Sequence, residues 1–337
     1  MSGFAHNLAT GATTLSEIER VRADISANEF FGCFAYATQS GFRAFDLGVG
    51  KDFWAKTTSR WLFGIDYGRT DPRALKEIAA RANADVRIYD GLFVVDRPSF
   101  VPRRDYHPKV AMMKNTVSEK HGLVLGSGNF SYNGLRRSIE AGSAIIAGSE
   151  SDFNKHIKPI RSVFEELWHS ASPLADIAGR YDANFVSLIN IRDKKRSASS
   201  ISKRKGFWIE AGYVTKNRGE GKPGNQIFVP TGFRKFFGLK KAKNNTTQIG
   251  EINFKTDIGQ PVTKNYREND NGMEKLTLPM PEDHGFGVYD GKVLIFETKG
   301  KWVLLSALEP ESFELIHGHR LANVGRMIGG RRFGEFV

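Results

Sequence analysis

Two short apolar segments separated by a polar loop hold the densest group of reactive residue types in the chain. The first contains a His-x-Lys pair, His107 and Lys109, and the second runs into Gly-Ser-Gly-Asn at residues 126–129. Both apolar runs end at breaker residues, which predicts two β-strands joined by the loop 114–121. Side chains two residues apart on a strand point to the same face, so His107 and Lys109 are expected to lie side by side.

The segment after the second strand is suited to holding a phosphate group. Gly126 and Gly128 allow backbone N–H groups to approach an anion closely, and Ser127 and Asn129 add short side chains that donate hydrogen bonds. With a histidine nucleophile and a lysine cation nearby, the segment predicts a site for one phosphodiester. A structural role is the alternative, but a His and a Lys on one strand face have no evident packing purpose there.

The order His-x-Lys followed by Gly-Ser-x-Asn resembles the half-motif of the phospholipase D superfamily. That superfamily has an aspartate five residues after the lysine, where this chain has Lys114, so the resemblance is to a divergent branch. Glu140, eleven residues after Asn129, looks like the acidic partner of that branch. The arrangement is similar to that of the metal-independent restriction endonucleases typified by BfiI, and of their NTPase-coupled relatives NgoAVII and CglI.

The resemblance implies a catalytic set of His107, Lys109, Ser127, Asn129 and Glu140 that uses no metal and no other cofactor. In that superfamily one histidine attacks phosphorus, another protonates the leaving oxygen, and lysine and asparagine groups hold the phosphate oxygens. This chain has one credible half-motif, so the two histidines are expected to come from the two chains of a homodimer. Glu140 is expected to orient the His107 ring and to raise its pKa, or else to cap a turn.

Three other motifs are weaker. A second His-x-Lys, His156 and Lys158, falls in a predicted helix, where residues two apart diverge by about 200° and do not form a pair. His317 and His319 have no cluster of acids or cysteines beside them, so no metal site is predicted. The glycines between residues 325 and 334 lack the P-loop order, so any use of ATP is expected to need a separate helicase-like NTPase subunit.

The charge is distributed unevenly along the chain. Residues 1–190 hold 23 Lys and Arg against 21 Asp and Glu, whereas residues 191–337 hold 26 against 16. A basic region beside a nearly neutral one is typical of a separate module that binds nucleic acid. A solvated basic face without a partner has the same charge and remains the alternative.

Residue patterns predict three regions. Helical and strand patterns alternate over residues 1–172, which predicts an α/β domain; the resemblance implies a phospholipase D-like α/β sandwich with catalytic and dimerisation roles. Residues 173–205 become rich in Ser, Lys and Arg, which predicts a flexible basic linker that contacts DNA or occupies the catalytic groove at rest. Short strands, among them Phe286 to Tyr289, follow over residues 206–337, which predicts a mostly-β barrel or pseudobarrel, similar to the B3-like DNA-binding domain of BfiI-type enzymes.

Two segments of the third region lie where B3-like domains have the arms that hold the major groove. The arms are residues 215–224 and 263–269, and both mix Arg, Lys and Asn with turn residues. The expected base contacts are made by Asn217, Arg218, Asn265 and Arg267, beside Tyr266, and the expected phosphate contacts by Lys216, Lys222 and Lys264. For each of these residues an ordinary exposed loop position is the alternative.

Taken with these patterns, the resemblance implies a sequence-specific, metal-independent restriction endonuclease that cleaves double-stranded DNA as a homodimer. One alternative is the nuclease subunit of an NTP-dependent restriction system; a lipid phosphodiesterase and a DNA-binding protein with a decayed site are less favoured. No segment has the length and apolarity of a membrane span, and the start has no signal-peptide pattern, so no membrane is expected. The single cysteine, Cys33, fits a reducing cytoplasm, and the resemblance to restriction enzymes implies that of a prokaryote.

Overall fold

The computed structural model describes residues 2–7, 11–196, 206–230, 232–240, 248–268, 274–327 and 330–336, with the backbone alone for 190–196. The chain divides into two compact units, Met1–Asn190 and Ile191–Val337. No helix within the described ranges is long and apolar enough to cross a lipid bilayer.

The first unit is built on one mixed sheet. Within the described residues its strands are β1 (Ser2–Ala5), β2 (Glu29–Phe34), β3 (Thr58–Phe63), β4 (Ala84–Ile88), β5 (Lys109–Lys114), β6 (His121–Gly126), β7 (Ala141–Ala147) and β8 (Ser172–Pro173). They are arranged in the order β1-β7-β6-β5-β2-β3-β4-β8. The strands β2, β3 and β4 are parallel, and β5 runs antiparallel to β2 and to β6. The parallel strands therefore end where β5 begins, at what is called here the upper end of the sheet.

Helices cover both faces of this sheet, as an α/β sandwich requires. They are α1 (Thr14–Asp24), α2 (Gln39–Lys56), α3 (Pro72–Ala79), α4 (Gly91–Val94), α5 (Glu150–Asp152), α6 (Lys158–Ser170) and α7 (Leu174–Arg196), with π-helical turns at Asn133–Arg137 and Phe153–Ile157. One core contains Leu15, Phe45 and Trp61, and the core on the opposite face contains Met112 and Trp168. The predicted α/β class and the predicted strand pair around the loop 114–121 are confirmed.

The region predicted as a linker begins as part of the first unit. Residues 174–196 form helix α7, and its side chains Leu174, Ile177 and Tyr181 are buried in the first core. Tyr181 also donates a hydrogen bond of 2.6 Å from its hydroxyl to the backbone oxygen of Thr70. The prediction of a flexible linker is therefore wrong for residues 174–196. This stretch has apolar residues at helical spacing, but the basic segment that follows it dominated the composition on which the prediction was based. Residues 197–205 lie outside the described residues.

The second unit is mostly β. Its strands are β9 (Gly206–Glu210), β10 (Gln226–Val229), β11 (Gln248–Lys255), β12 (Val262–Glu268), β13 (Glu274–Thr277), β14 (Val293–Lys299), β15 (Trp302–Leu308), β16 (Leu321–Arg326) and β17 (Arg332–Phe336), with one helix, α8 (Pro310–His317), among the described residues. They form one sheet in the order β10-β13-β12-β11-β15-β14-β9-β17-β16. Phe313 of α8 packs on Trp208, with ring centroids 5.0 Å apart.

Two predictions for the second unit need correction. Phe286 to Tyr289 was predicted as a strand, but Gly285 and Gly287 have positive φ angles of 71° and 68°, and the segment is a buried turn. Residues 263–268 were predicted as part of a turn-rich arm, but they belong to strand β12, which pairs with β11 and β13. Asn269 lies outside the described residues.

Candidate active site

His107 and Lys109 lie in contact at the upper end of the sheet, although only Lys109 belongs to β5 and His107 precedes the strand by two residues. The Lys109 Nζ is 2.8 Å from the His107 Nδ1 and donates a 2.9 Å hydrogen bond to the His107 backbone oxygen. His107 is exposed, whereas the Lys109 side chain runs into the protein and the residue is 9% exposed. A solvent-facing imidazole is thus held against an ammonium group that is largely removed from water.

The residues around His107 fix its backbone. Tyr106 is buried, stacks on Tyr89 at 4.8 Å between centroids and donates from its hydroxyl to the Leu62 backbone oxygen at 3.3 Å. On the other side, the Ala35 backbone N–H donates to the Pro108 oxygen at 2.8 Å. The histidine side chain therefore projects from a segment that is tied to the sheet on both sides.

Ser127 and Glu140 meet at the same end of the sheet. The Ser127 hydroxyl donates to a carboxylate oxygen of Glu140 and accepts from the Ala141 backbone N–H at 3.2 Å. The residue that follows β1 also binds this segment, because the His6 N–H donates to the Glu140 backbone oxygen at 2.8 Å. The negative charge of Glu140 favours the ammonium form of Lys109 and so partly offsets the lowering of the Lys109 pKa by burial. Glu140 therefore belongs to the same cluster as Lys109.

Asn129 lies in a tightly packed loop beside these residues. A Cβ atom on Gly128 would lie 2.1 Å from the Gly134 oxygen, so glycine is required for the loop to pack on the π-helical turn Asn133–Arg137. The Asn129 side-chain oxygen is buried and has no hydrogen-bond partner within the described residues. An unpaired buried acceptor is costly, so this oxygen requires a donor such as a water molecule, while the side-chain NH₂ group is the part of Asn129 that can donate to an anion.

The expected role of Glu140 toward His107 is not observed. Glu140 accepts from Ser127 instead, and the pKa of His107 is lowered, by partial burial and then by the charges of Lys109 and Arg69. Burial lowers the pKa of Lys109 to about 8, with Arg69 acting in the same direction. The pair consequently favours a neutral imidazole at neutral pH, which is the state required of a nucleophile.

The sequence reading missed a turn at residues 66–69 that closes one side of the site. The Tyr67 backbone is left-handed, with φ of 57°, and its hydroxyl donates to Asp105 at 2.7 Å. The Asp66 carboxylate accepts from the Tyr106 N–H at 2.9 Å. The turn follows β3, which is parallel to β2. Because neighbouring parallel strands end at the same edge of a sheet, the position of this turn after a predicted strand was the signal that could have placed it near the site.

Asp66 is expected to destabilise the protein at neutral pH. It is 7% exposed, its Oδ1 has no partner in the described chain, and burial raises its pKa from 3.8 to about 6. A raised carboxyl pKa means that stability increases as pH falls from about 6 toward 3.8 and is lower above that window. Asp66→Asn should then raise the free energy of unfolding at pH 8 by up to roughly 3 kcal/mol, and by little at pH near 4.

Urea unfolding of the two proteins at both pH values measures this difference. Asp176→Asn is the control, because Asp176 is an exposed carboxylate of the same unit. Equal stabilities of the wild type and Asp66→Asn at pH 8 would show that the Asp66 carboxylate is adequately solvated.

The residues predicted to bind DNA occupy different environments in the second unit. Lys216, Lys222 and Arg267 are exposed, and Lys264 and Asn265 are half-buried. The Asn217 amide bonds to Asn225 at 2.9 Å, and Arg218 forms a 2.5 Å ion pair with Glu282. Tyr266 is fully buried and donates to Glu274 at 2.5 Å, so its predicted place in a DNA-contacting arm is wrong. The tyrosine is a core residue of strand β12.

Comparison with known proteins gives limited similarity. NucT from Helicobacter pylori is 15% identical, with 51% of this chain and 98% of NucT covered and a TM-score of 0.36. The phospholipase D family member Nuc from Salmonella typhimurium is 12% identical, with 51% of this chain and 97% of Nuc covered and a TM-score of 0.34. No family model and no curated protein matches the chain. Similarity at this level does not assign a function.

Proposed function

We propose that the chain is a metal-independent DNA endonuclease that cleaves phosphodiester bonds through a covalent phosphohistidine at His107. The observation that carries the proposal is the contact between His107 and Lys109 at 2.8 Å, at the same sheet end as Ser127 and Glu140. An imidazole nucleophile beside an ammonium group is the set that phosphoryl transfer without a metal requires.

The chemistry proceeds in two displacements. A ring nitrogen of His107 attacks phosphorus, the bond from phosphorus to the leaving oxygen breaks, and a second imidazole in its protonated form gives that oxygen a proton. Water then attacks the phosphohistidine, the N–P bond breaks, and the second imidazole accepts the proton from water. Lys109 and the Asn129 amide hold the phosphate oxygens. A phosphate oxygen draws the Lys109 ammonium away from the His107 ring, which leaves the ring nitrogen free to attack.

The second imidazole comes, in this proposal, from His107 of another copy of the chain. In this arrangement Ile139, which is 97% exposed and directly precedes Glu140, would lie in the contact between the two copies. A twofold axis through the site would bring two copies of His107 to one phosphate.

The second unit is proposed to hold double-stranded DNA and to supply sequence preference, as in a restriction endonuclease. Its excess of basic residues supports binding to the phosphate backbone. The exposed Lys216, Lys222 and Arg267 are the residues that we propose for contacts with DNA. Arg218 would have to leave Glu282 before it contacted a base.

Cleavage of plasmid DNA is expected to continue in EDTA at a rate within about twofold of the rate with Mg²⁺, because the nucleophile and cations belong to the protein. Plasmid conversion is measured on agarose gels, with and without ATP, and the fragment ends are then sequenced. Defined ends support sequence specificity, whereas scattered ends support a nonspecific nuclease.

The matched control is His107→Ala purified in the same way, since contaminating nucleases would remain in that sample. Strict dependence of the cutting step on Mg²⁺ would overturn the proposed chemistry. Choline release from phosphatidylcholine, with no cleavage of DNA, would favour a lipid phosphodiesterase instead.

A further inference from the structure

Three arginines at the upper end of the first unit have no assigned role. Arg97, Arg104 and Arg137 are exposed, and none of them forms an ion pair within the described residues. Elsewhere on this unit, exposed arginines with a carboxylate partner include Arg20, paired with Glu17, and Arg73, paired with Asp71. Exposed guanidinium groups without a carboxylate are available for an anion from outside the chain.

These arginines lie on both sides of the candidate active site. Arg97 and Arg104 belong to the segment that connects α4 to β5, and Arg104 precedes His107 by three residues. Arg137 ends the π-helical turn between β6 and β7 and precedes Glu140 by three residues. The first connection leads into β5 and the second leaves β6, which pairs with β5, so both connections lie at the end of the sheet where His107 is found.

The backbone that carries the arginines is fixed by buried contacts. Phe100, between Arg97 and Arg104, is 1% exposed and packs edge-on against Tyr181 at 5.1 Å. Ser99 and Phe100 both have left-handed backbones with φ of 54°, a conformation that non-glycine residues keep only where surrounding packing enforces it. Leu135, two residues before Arg137, is fully buried. Rigid loops lower the entropic cost of binding an extended ligand.

We propose that Arg97, Arg104 and Arg137 form a rim that binds the phosphates on either side of the phosphodiester that is cleaved. The inference rests on the proposed nuclease function and names its substrate class as a polynucleotide. Arg104 is at most roughly 10 Å along the chain from His107. Successive phosphates of a DNA strand advance by about 3.4 Å along the helix axis, so the rim reaches neighbouring phosphates within a few nucleotides.

The chemistry of the guanidinium group favours this ligand. Its planar set of N–H donors binds two phosphate oxygens at once, which a lysine does not do. Arg97 stacks on Phe93 with its guanidinium carbon 5.0 Å from the ring centroid, which leaves the edges of the group open to a ligand. A small isolated phosphodiester contacts His107 and Lys109 without reaching the rim.

The test compares two triple variants of the full chain. Arg97→Gln, Arg104→Gln and Arg137→Gln together remove the rim, and Lys120→Gln, Lys155→Gln and Lys158→Gln remove three exposed cations from the opposite end of the sheet. Both are made in a His107→Ala background, so that a short fluorescent duplex stays intact, and fluorescence anisotropy gives its affinity at several KCl concentrations. The rim variant should lower the slope of log affinity against log salt by up to about 3, because each lost phosphate contact removes about 0.9.

The control variant should change the slope by less than about 1. A rim variant with the slope and affinity of the control would overturn the proposed rim. With His107 intact, the rim variant should hydrolyse bis(p-nitrophenyl) phosphate within about twofold of wild type, while its KM for DNA rises at least about tenfold. A wild type that hydrolyses neither substrate would refute the nuclease proposal instead, so the two failures are distinguishable.

Discussion

Replacing His107 with alanine is expected to reduce cleavage of DNA by at least about 1,000-fold, because the variant has neither the nucleophile nor the acid of the proposed reaction. Folding should be little affected, since the His107 side chain is exposed and the segment is held by Tyr106 and Pro108. Initial rates of plasmid cleavage in EDTA measure the loss. His156→Ala is the matched control, because His156 belongs to the second His-x-Lys and lies in a π-helical turn.

Mixed dimers test whether two copies of His107 serve one site. Equal amounts of wild type and His107→Ala chains, dissociated and reassembled at random, contain about a quarter wild-type dimers. A shared site predicts about a quarter of the wild-type activity, since each mixed dimer has lost one imidazole. Retention of about half of the activity would mean that each chain works alone, and the proposed homodimeric site would then be wrong.

The local part of the candidate site was predictable from the sequence. The apolar run from Val110 to Met113 marks a buried strand, and the expected contact between His107 and Lys109 is present, although His107 precedes the strand and is not part of it. The structure has that contact at 2.8 Å. Ser127 and Glu140 were also expected to belong to one site. Glu140 was expected to orient His107, but its carboxylate instead accepts a hydrogen bond from the Ser127 hydroxyl.

The parts that depend on topology were not predictable in the same way. The turn 66–69 is distant in sequence from His107, and only the parallel pairing of β2 with β3 places it at the same end of the sheet. Helix α2 was also missed, because its glycines interrupt the pattern; Gly50, with φ of 70°, breaks the helical backbone near its end. Tyr266 was predicted to lie in a loop because strand β12 contains mostly polar residues, and a polar composition is also typical of loops.

Replacing Lys109 with alanine is expected to reduce cleavage by about 100- to 1,000-fold, the usual cost of removing one group that stabilises a phosphoryl transition state. Lys114→Ala is the matched control, since Lys114 lies at the other end of the same strand and pairs with Glu119 at 2.8 Å. Hydrolysis of bis(p-nitrophenyl) phosphate is the suitable assay, because it does not depend on DNA binding. Equal activity of Lys109→Ala and Lys114→Ala would exclude Lys109 from the site.

The pH dependence of the same assay gives Lys109 a distinct signature. Its pKa is lowered to about 8, chiefly by burial, so the ammonium is present below that pH and is lost as pH rises through it. At pH 9 about a tenth of the free enzyme retains the charge, and kcat/KM should fall about tenfold, mainly through KM. Lys109→Arg keeps its charge at this pH, so its KM should stay constant between pH 7 and pH 9 even where kcat is reduced. A wild-type KM that is equally constant would mean that Lys109 does not bind the phosphate as a cation.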